Sequence, residues 1–248
     1  MKIATWNVNG IRARQAQVLE WVEGHRPDVI CLQEIKAASD QVPVALLEMQ
    51  GYWCCWHGSA GYSGVALLVS KVLAPERPTF SHPDFDFERR IVQAELPGLT
   101  VSSVYVPNGG KDYSAKVRFL DAMDAYAAGF ETAGRPVVLC GDLNVALTDL
   151  DVHPKERKLR AIGQLPEERA LLQRIIGRGL VDVGRALDPD NDGLFTWWAP
   201  WRNMRQRNIG WRIDYVLASQ SLASRAVSCG VAPDVGTSDH APVTATFG

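Results

Sequence analysis

Two acidic residues each follow a short apolar segment with the composition of a buried strand. Segment 28–33 precedes Glu34, and segment 136–140 leads through a glycine to Asp142. A carboxylate at the end of such a strand is partly desolvated and needs a cation or hydrogen-bond donors nearby. Because ligand sites in α/β sheets lie at the carboxyl ends of strands, the two acids can converge on one metal ion. Oxygen ligands without a His/Cys cluster favour Mg²⁺ or Mn²⁺ over Zn²⁺. Taken singly, either acid is equally well explained as a turn residue.

The segment Gly-Asp-Leu-Asn (141–144) adds a carboxamide to the second acid. Alternate residues of an extended segment point to the same side, so Asp142 and Asn144 can face one pocket. A carboxylate beside a carboxamide can orient a water molecule and deprotonate it. Since Gly-Asp also marks turns, an ordinary turn is the alternative.

One histidine lies in a setting that suggests catalysis, within Ser-Asp-His-Ala-Pro (238–242). Adjacent residues of an extended backbone point to opposite sides, so Asp239 is a poor partner for His240. Asp214, in Trp-Arg-Ile-Asp-Tyr (211–215), is the better candidate to hold the imidazole tautomer. The other histidines have no such setting and are assigned to the surface or the core: His25, His57, His82 and His153.

Segment 195–212 combines tryptophans with arginines. It contains four of the eight tryptophans, together with Arg202, Arg205, Arg207 and Arg212. Aromatic faces can stack on bases and arginines bind phosphates, so contact with nucleic acid is one interpretation. The other is a tryptophan-rich edge of the core followed by a solvated basic loop.

The elements that position these residues follow from the hydrophobic pattern. Short apolar runs predict strands at 2–6, 28–33, 52–57, 65–70, 91–96, 100–106, 136–140, 212–218 and 241–247. Helical periodicity predicts helices at 11–24, 114–128 and 166–178. Such a mixture suggests sheets covered by helices. Segments 26–34 and 135–142 resemble each other, which suggests either two similar halves that meet face to face or two ordinary buried strands.

Length and composition fit one large globular α/β domain spanning 1–248, with 46% hydrophobic and 22% charged residues. No stretch approaches the roughly 20 apolar residues needed to span a bilayer, and no secretion signal is evident. The five cysteines are odd in number and form no CxxC pair, so we expect reduced thiols in the cytoplasm rather than a disulfide or zinc site. The net charge of −2 neither indicates nor excludes a nucleic-acid partner.

Seven motifs together resemble the exonuclease III and apurinic/apyrimidinic (AP) endonuclease family, within the endonuclease/exonuclease/phosphatase superfamily. They are Trp-Asn-Val-Asn-Gly (6–10), Leu-Gln-Glu (32–34), Gly-Tyr-Ser-Gly-Val-Ala-Leu-Leu (61–68), Tyr-Val-Pro-Asn (105–108), Gly-Asp-Leu-Asn (141–144), Trp-Arg-Ile-Asp-Tyr (211–215) and Ser-Asp-His-Ala-Pro (238–242). The resemblance implies a deoxyribonuclease-I-like, four-layer α/β sandwich of two facing mixed β-sheets flanked by helices. It also implies cleavage of duplex DNA 5′ to abasic sites, with 3′-phosphatase, 3′-phosphodiesterase and 3′→5′ exonuclease activity.

The resemblance assigns roles at a metal and water site. By position, Glu34 is the main metal ligand, Asn7 assists it, and Asp239 lies close to it. Asp142 orients or deprotonates the attacking water with the help of Asn144. Mg²⁺ or Mn²⁺ is the cofactor that the resemblance implies.

The resemblance also assigns contacts to the substrate. His240, held by Asp214, contacts the scissile phosphate, and Tyr105 and Asn108 bind or polarise it. Trp197 and Trp211 match positions that line the pocket for the abasic sugar in relatives. Contacts with the DNA backbone are implied for Lys36, Gly61, Tyr62 and Lys111. The partner is then duplex DNA with abasic or 3′-blocked sites, no membrane is involved, and we expect a monomer.

Two departures from the family pattern bear on these expectations. Asn9 stands where some relatives have an acid, which argues against a second metal ion. Segments 109–113 and 226–238 are short, so the balance between endonuclease and exonuclease activity is open. The rival hypotheses are a phosphoesterase of the same superfamily that acts on RNA, phosphoinositide or sphingomyelin, and a non-catalytic DNA-binding protein.

Overall fold

In the computed structural model, which describes residues 1–47 and 51–248, strands and helices build two stacked sheets with helices outside. The strands are β1 (Lys2–Asn7), β2 (Val29–Gln33), β3 (Tyr52–Ser59), β4 (Tyr62–Ser70), β5 (Thr79–Ser81), β6 (Ile91–Leu96), β7 (Leu99–Tyr105), β8 (Val137–Asp142), β9 (Leu180–Asp182), β10 (Asp214–Ser219), β11 (Ala226–Val231) and β12 (Val243–Phe247). The helices are α1 (Ile11–His25), α2 (Val44–Leu47), α3 (Tyr113–Ala133), α4 (Pro166–Ile176), α5 (Val183–Leu187) and α6 (Gln220–Ala223).

The two sheets have the same topology. The first has the strand order β11-β12-β1-β2-β4-β3, and the second has the order β5-β6-β7-β8-β10-β9. In each sheet the third and fourth strands are parallel, β1 with β2 and β7 with β8, and the other neighbours are antiparallel. The similar segments 26–34 and 135–142 supply the fourth strand of each sheet. The equivalence of the two sheets favours the hypothesis of two similar halves.

Side-chain alternation along the strands divides the core into layers. On β2, Val29 and Cys31 face the second sheet and join Val138 and Cys140 of β8 in one apolar cluster. The intervening residues of β2 face the other way and pack against α1. On the far side, α3 and α4 cover the second sheet. Because the side-chain period of a strand is two, the central strands of both sheets are buried on both faces, and the predicted four-layer sandwich is confirmed.

Most predicted elements occur, with shifted ends. Helix α3 is longer than predicted because Asp112 caps its first turn, accepting from the Ala115 amide at 2.9 Å, and Gly134 ends it with φ of 61°. Segment 226–238 is not merely a short loop, since β11 occupies its first half and pairs with β12. The short strands β5 and β9 were also missed, as were the short helices α2, α5 and α6.

Within the described ranges, no helix has the length and apolarity to cross a membrane. All five cysteines are free. Cys31 and Cys140 are buried between the sheets.

Candidate active site at the strand ends of both sheets

Polar side chains at the carboxyl ends of the two parallel strand pairs meet at one edge of the sandwich. Asn7 ends β1 and Glu34 follows β2 in the first sheet, while Tyr105 ends β7 and Asp142 ends β8 in the second. The Asn7 amide donates to Glu34 Oε1 at 3.0 Å and to Asp142 Oδ2 at 2.9 Å. The Tyr105 hydroxyl donates to Glu34 Oε1 at 2.9 Å. One hydrogen-bonded cluster therefore joins the two sheets.

The backbone at this edge is constrained by close approach. Gly141 has φ of 155°, and a Cβ added to it would lie 1.8 Å from the Val104 carbonyl oxygen of β7. Only glycine fits there, and it brings Asp142 next to the neighbouring strand. Glu34 and Asn144 adopt left-handed φ values of 51° and 52°. That conformation costs a non-glycine residue roughly 1–2 kcal/mol, and such strain commonly occurs at functional sites.

Asp142 and Asn144 face the same pocket, as expected, but not through strand alternation, since β8 ends at Asp142 and Asn144 has a left-handed φ. The backbone N–H of Asn144 donates to Asp142 Oδ1 at 2.9 Å. The side-chain amide of Asn144 donates to the Val106 carbonyl at 2.9 Å. The Asn108 side chain in turn donates to Asn144 Oδ1 at 3.2 Å. These bonds fix the orientation of the buried carboxylate and of both carboxamides.

His240 lies between two carboxylates. Its Nδ1 lies 2.9 Å from Asp214 Oδ2, and its Nε2 lies 3.7 Å from Asp142 Oδ2. Asp239 points elsewhere, accepting from the Asn9 side chain at 2.8 Å and from the Trp197 indole at 3.0 Å. The imidazole can therefore carry a proton on each nitrogen and donate towards both carboxylates.

The electrostatics separate the roles of the titratable groups. Burial raises the pKa of Asp142 to about 7, with help from Asp214 and Glu34 and against the effect of His240. Burial disfavours charge on His240, but Asp214 and Asp142 outweigh it and raise its pKa to about 10. Burial also opposes the Glu34 charge, yet hydrogen bonds from Asn7 and Lys36 and the Lys36 charge hold the pKa of Glu34 below its usual value. Burial raises the pKa of Tyr105 well above 10, so its hydroxyl remains a donor.

Three groups in this cluster can hold a metal ion. Single ligand atoms of Glu34, Asp142 and His240 lie within 4.8 Å of one another. A buried carboxylate, Asp142, and a half-buried one, Glu34, so close together favour a cation between them. Asp239 lines the same cavity but lies outside this trio, and Asn7 presents its N–H groups to the acids. The roles of Asn7 and Asp239 at the metal stay predictions.

A cavity of about 310 Å³ opens beside the cluster. Trp197 and Trp211 form part of its wall, with ring centroids 5.6 Å apart and planes at 79°. Ile162 and Ile213 complete the apolar wall. We did not identify these two isoleucines from the sequence: Ile162 is a single apolar residue without a periodic context, and Ile213 has the alternation of a strand residue packed in the core.

Three residues predicted to contact the DNA backbone, Lys36, Gly61 and Tyr62, come from the first sheet, and Lys111 follows β7 of the second sheet. The Lys36 ammonium lies 2.7 Å from Glu34 Oε2, and the Gly61 amide donates to the Lys36 carbonyl at 3.2 Å. Tyr62 is exposed, and the Lys111 ammonium lies 5.5 Å from the centre of its ring. Arg90 was missed by sequence reasoning. It donates to the Tyr62 hydroxyl at 2.9 Å and so helps to hold the Tyr62 ring in position.

Segment 195–212 combines buried residues of the core with exposed residues that can contact a ligand. Trp198 and Arg212 are buried, and Arg212 forms an ion pair with Asp182 at 2.7 Å. Arg205 donates to three backbone carbonyls of the 233–238 loop. Trp201, by contrast, is 60% exposed. Part of the segment is therefore structural, and part is free to contact a ligand.

Comparison with known proteins agrees with this geometry. Residues 4–240 match the model of the Endonuclease/Exonuclease/phosphatase family. The chain is 36% identical to Exodeoxyribonuclease III of Haemophilus influenzae, with 100% of both chains covered. It is 34% identical to Recombination repair protein 1 of Drosophila melanogaster, of whose length it spans only 37%.

Two solved structures share the fold across the whole chain. An AP endonuclease from Archaeoglobus fulgidus is 32% identical, with a TM-score of 0.89 and coverage of 100% of this chain and 99% of that one. A 3′ phosphatase from Neisseria bound to a product DNA hairpin is 33% identical, with a TM-score of 0.91 and the same coverage. The chain therefore belongs to the Endonuclease/Exonuclease/phosphatase family, as a hydrolytic nuclease of its exonuclease III and AP endonuclease branch.

Proposed function

We propose that the protein hydrolyses the phosphodiester 5′ to abasic sites in duplex DNA. The same site removes 3′ phosphates and other 3′ blocking groups and degrades DNA from 3′ ends. The proposal rests on one observation: His240 lies between the carboxylates of Asp142 and Asp214, beside a cavity walled by Trp197 and Trp211. These three side chains can transfer a proton and stabilise charge, and the cavity has room for a sugar without a base.

Asp142 acts as the base for the attacking water. A general base works best when its pKa lies near the operating pH, and burial raises the pKa of Asp142 to about 7. Asn7 and Asn144 hold its oxygens in place. As the water oxygen bonds to phosphorus, its proton passes to Asp142, the bond from phosphorus to the 3′ oxygen breaks, and that oxygen takes up a proton from solvent to leave as a 3′ hydroxyl.

Three donors stabilise the charge that develops on the phosphate. His240 is protonated below pH 10, and Asp214 holds its Nδ1, so that Nε2–H is directed into the cavity. The Tyr105 hydroxyl and the Asn108 amide line the same cavity. His240 is already oriented in a site of low dielectric, and such a donor stabilises a transition state strongly because it need not reorganise. The Tyr105 hydroxyl donates to Glu34 Oε1 in the free protein and would transfer that hydrogen bond to the phosphate.

Glu34 is the main ligand of Mg²⁺ or Mn²⁺ in this proposal, with Asn7 and Asp239 near it. Such an ion supplies positive charge to the phosphate oxygens. Its presence suits the close pair of half-buried Glu34 and buried Asp142, whose carboxylates both contact the Asn7 side-chain amide. Asn9 donates to Asp239 rather than adding a further acid, which supports one ion over two.

The walls of the cavity account for the choice of lesion. An abasic nucleotide has little stacking to lose, so it leaves the helix more easily than an intact one. Trp197, Trp211 and Ile213 offer apolar faces to its sugar. Tyr62, which is exposed, and Lys111, which lies over its ring, contact the backbone of the same duplex in this proposal.

The whole chain, 1–248, acts as one domain in this proposal. Strands β1 and β12 come from opposite ends of the sequence and pair in one sheet, which supports it. The protein acts as a monomer, since one chain contains all groups of the site. Five free cysteines, an odd number, support a reducing compartment such as the cytoplasm.

A panel of defined duplexes tests the proposal. Abasic, 3′-phosphate, blunt and nicked duplexes are incubated with the protein and Mg²⁺, with and without EDTA. We expect nicking 5′ to the abasic site and phosphate release from the 3′ end, both abolished by EDTA. Turnover of RNA or a phospholipid headgroup without any nicking would instead support another phosphoesterase of the superfamily.

A further inference from the structure

A second group of possible metal ligands lies outside the active site. It consists of His57 on β3 and of His82 and Asp86 in the connection between β5 and β6. One nitrogen of each imidazole and one oxygen of Asp86 lie within 4.8 Å of one another. His57 Nε2 is 2.6 Å from Asp86 Oδ2, and the two imidazole rings stack with centroids 3.6 Å apart. β3 and β5 are edge strands of different sheets, so the group bridges the two sheets.

Two members of the group are held in position by the backbone behind them. Asp86 Oδ1 accepts from the Arg90 and Ile91 amides at 2.8 and 3.1 Å, which directs Oδ2 towards His57. His82 Nδ1 lies 3.2 Å from the Ile91 carbonyl. That carbonyl can only accept, so Nδ1 carries the proton and Nε2 keeps its lone pair. Histidine and carboxylate ligands of metals are commonly oriented by such outer contacts.

A simpler explanation covers only part of this arrangement. The hydrogen bond between His57 and Asp86 alone would fasten the 82–91 segment to β3. It does not require His82, an exposed residue whose ring nevertheless stacks on His57 and is oriented by the Ile91 carbonyl. His82 adds a third ligand atom beside His57 and Asp86, which a hydrogen bond between those two residues does not explain.

We propose that His57, His82 and Asp86 form a binding site for a divalent transition metal of the zinc class. Two imidazoles and one carboxylate favour such a metal over Mg²⁺. Ligand atoms that share a tetrahedral zinc ion lie about 3.3 Å apart, given Zn–N distances of about 2.0–2.1 Å. The His57 and Asp86 atoms, 2.6 Å apart, therefore need to open by about 0.7 Å. The exposed His82 side chain needs to close by at most about 1.5 Å and to turn its stacked ring so that the lone pairs converge on the ion. The active-site cluster, with its oxygen-rich ligands, is a separate site.

Metal binding here joins two parts of the fold that are distant in sequence. The ion would link β3 of the first sheet to the segment that follows β5 of the second. A ligand that binds only the folded state stabilises it. We therefore expect micromolar Zn²⁺ to raise the unfolding temperature of the full chain.

Equilibrium dialysis against Zn²⁺ in excess Mg²⁺ tests the proposal, with thermal unfolding as a second readout. His82→Ala removes one ligand, and Asp86→Asn keeps an acceptor for the backbone amides while removing the carboxylate. His25→Ala, which changes another exposed histidine, is the matched control. We expect wild type and His25→Ala to bind one more zinc ion per chain than His82→Ala and Asp86→Asn, and only the first two to gain thermal stability. Equal zinc binding and equal stabilisation in wild type and His82→Ala would overturn the site.

Discussion

A fully buried ion pair beneath the active site gives the sharpest stability prediction. Lys116 of α3 and Glu168 of α4 are both completely inaccessible to solvent, and their charged groups are in contact. The ammonium also donates to the Asn144 carbonyl at 2.7 Å and to the Asn108 carbonyl at 3.3 Å. Glu168 Oε2 accepts from the Gly163 amide at 2.7 Å and from the amide of the residue that precedes α4. The pair therefore joins two helices to the two asparagines of the site.

Lys116→Met removes the charge while retaining most of the side-chain volume. It leaves the Glu168 carboxyl group buried without its cation, and it leaves two backbone carbonyls without their donor. Removing one partner of a buried ion pair typically costs about 3–5 kcal/mol. We expect the free energy of unfolding to fall by about that amount. Since Asn108 and Asn144 lose an anchor, we also expect kcat on an abasic duplex to fall about 10- to 100-fold.

The assay is urea denaturation in EDTA, followed by circular dichroism. Lys116→Met/Glu168→Gln removes both charges and keeps an acceptor for the Gly163 amide. It should therefore lose less stability than the sum of the two single variants. Lys158→Met alters an exposed lysine and should change stability by less than about 0.5 kcal/mol. A loss below about 1 kcal/mol in Lys116→Met would refute the reasoning, because the buried carboxylate would then not depend on the ammonium.

Two further predictions follow from the strand ends. Gly141→Ala should destabilise the fold by more than about 4 kcal/mol, because its Cβ would lie 1.8 Å from the Val104 oxygen; soluble protein of normal urea stability would contradict this. In EDTA, His240→Gln should lose stability at pH 6. Because the folded pKa of about 10 exceeds the ordinary 6.5, the charged imidazole stabilises fully below pH 6.5 and progressively less as the pH rises to 10. Urea titrations should show the gap between wild type and variant narrowing over that range, and a constant gap would refute the assigned cause.

The sequence predicted the central strands well because their signal is local. The apolar run at 28–33 corresponds to β2, and the run at 136–140 corresponds to most of β8, since both strands are buried on both faces. β11 was missed because it lies at the edge of its sheet and is largely exposed, so its side chains show no clear alternation. β5 and β9 have three residues each, too few for a periodic pattern.

Much of the site could be anticipated, while the groups that support it could not. Glu34 and Asp142 stand at strand ends, where strand topology alone suggests that they meet. Lys116 and Glu168 instead look like ordinary polar residues of amphipathic helices, and only the packing of α3 against α4 buries them. His57 and His82 are 25 residues apart, and their contact depends on how the edges of the two sheets meet.

The central claim is that Asp142 activates water for phosphodiester hydrolysis, and single-turnover cleavage of an abasic duplex by Asp142→Asn tests it most directly. The variant is nearly isosteric and neutral, and the raised pKa of Asp142 indicates that a neutral side chain is tolerated there, so we expect it to fold. With Mg²⁺, it should bind the duplex as tightly as wild type but nick it about 10²- to 10⁴-fold more slowly. Nicking at the wild-type rate by the folded variant would contradict the account.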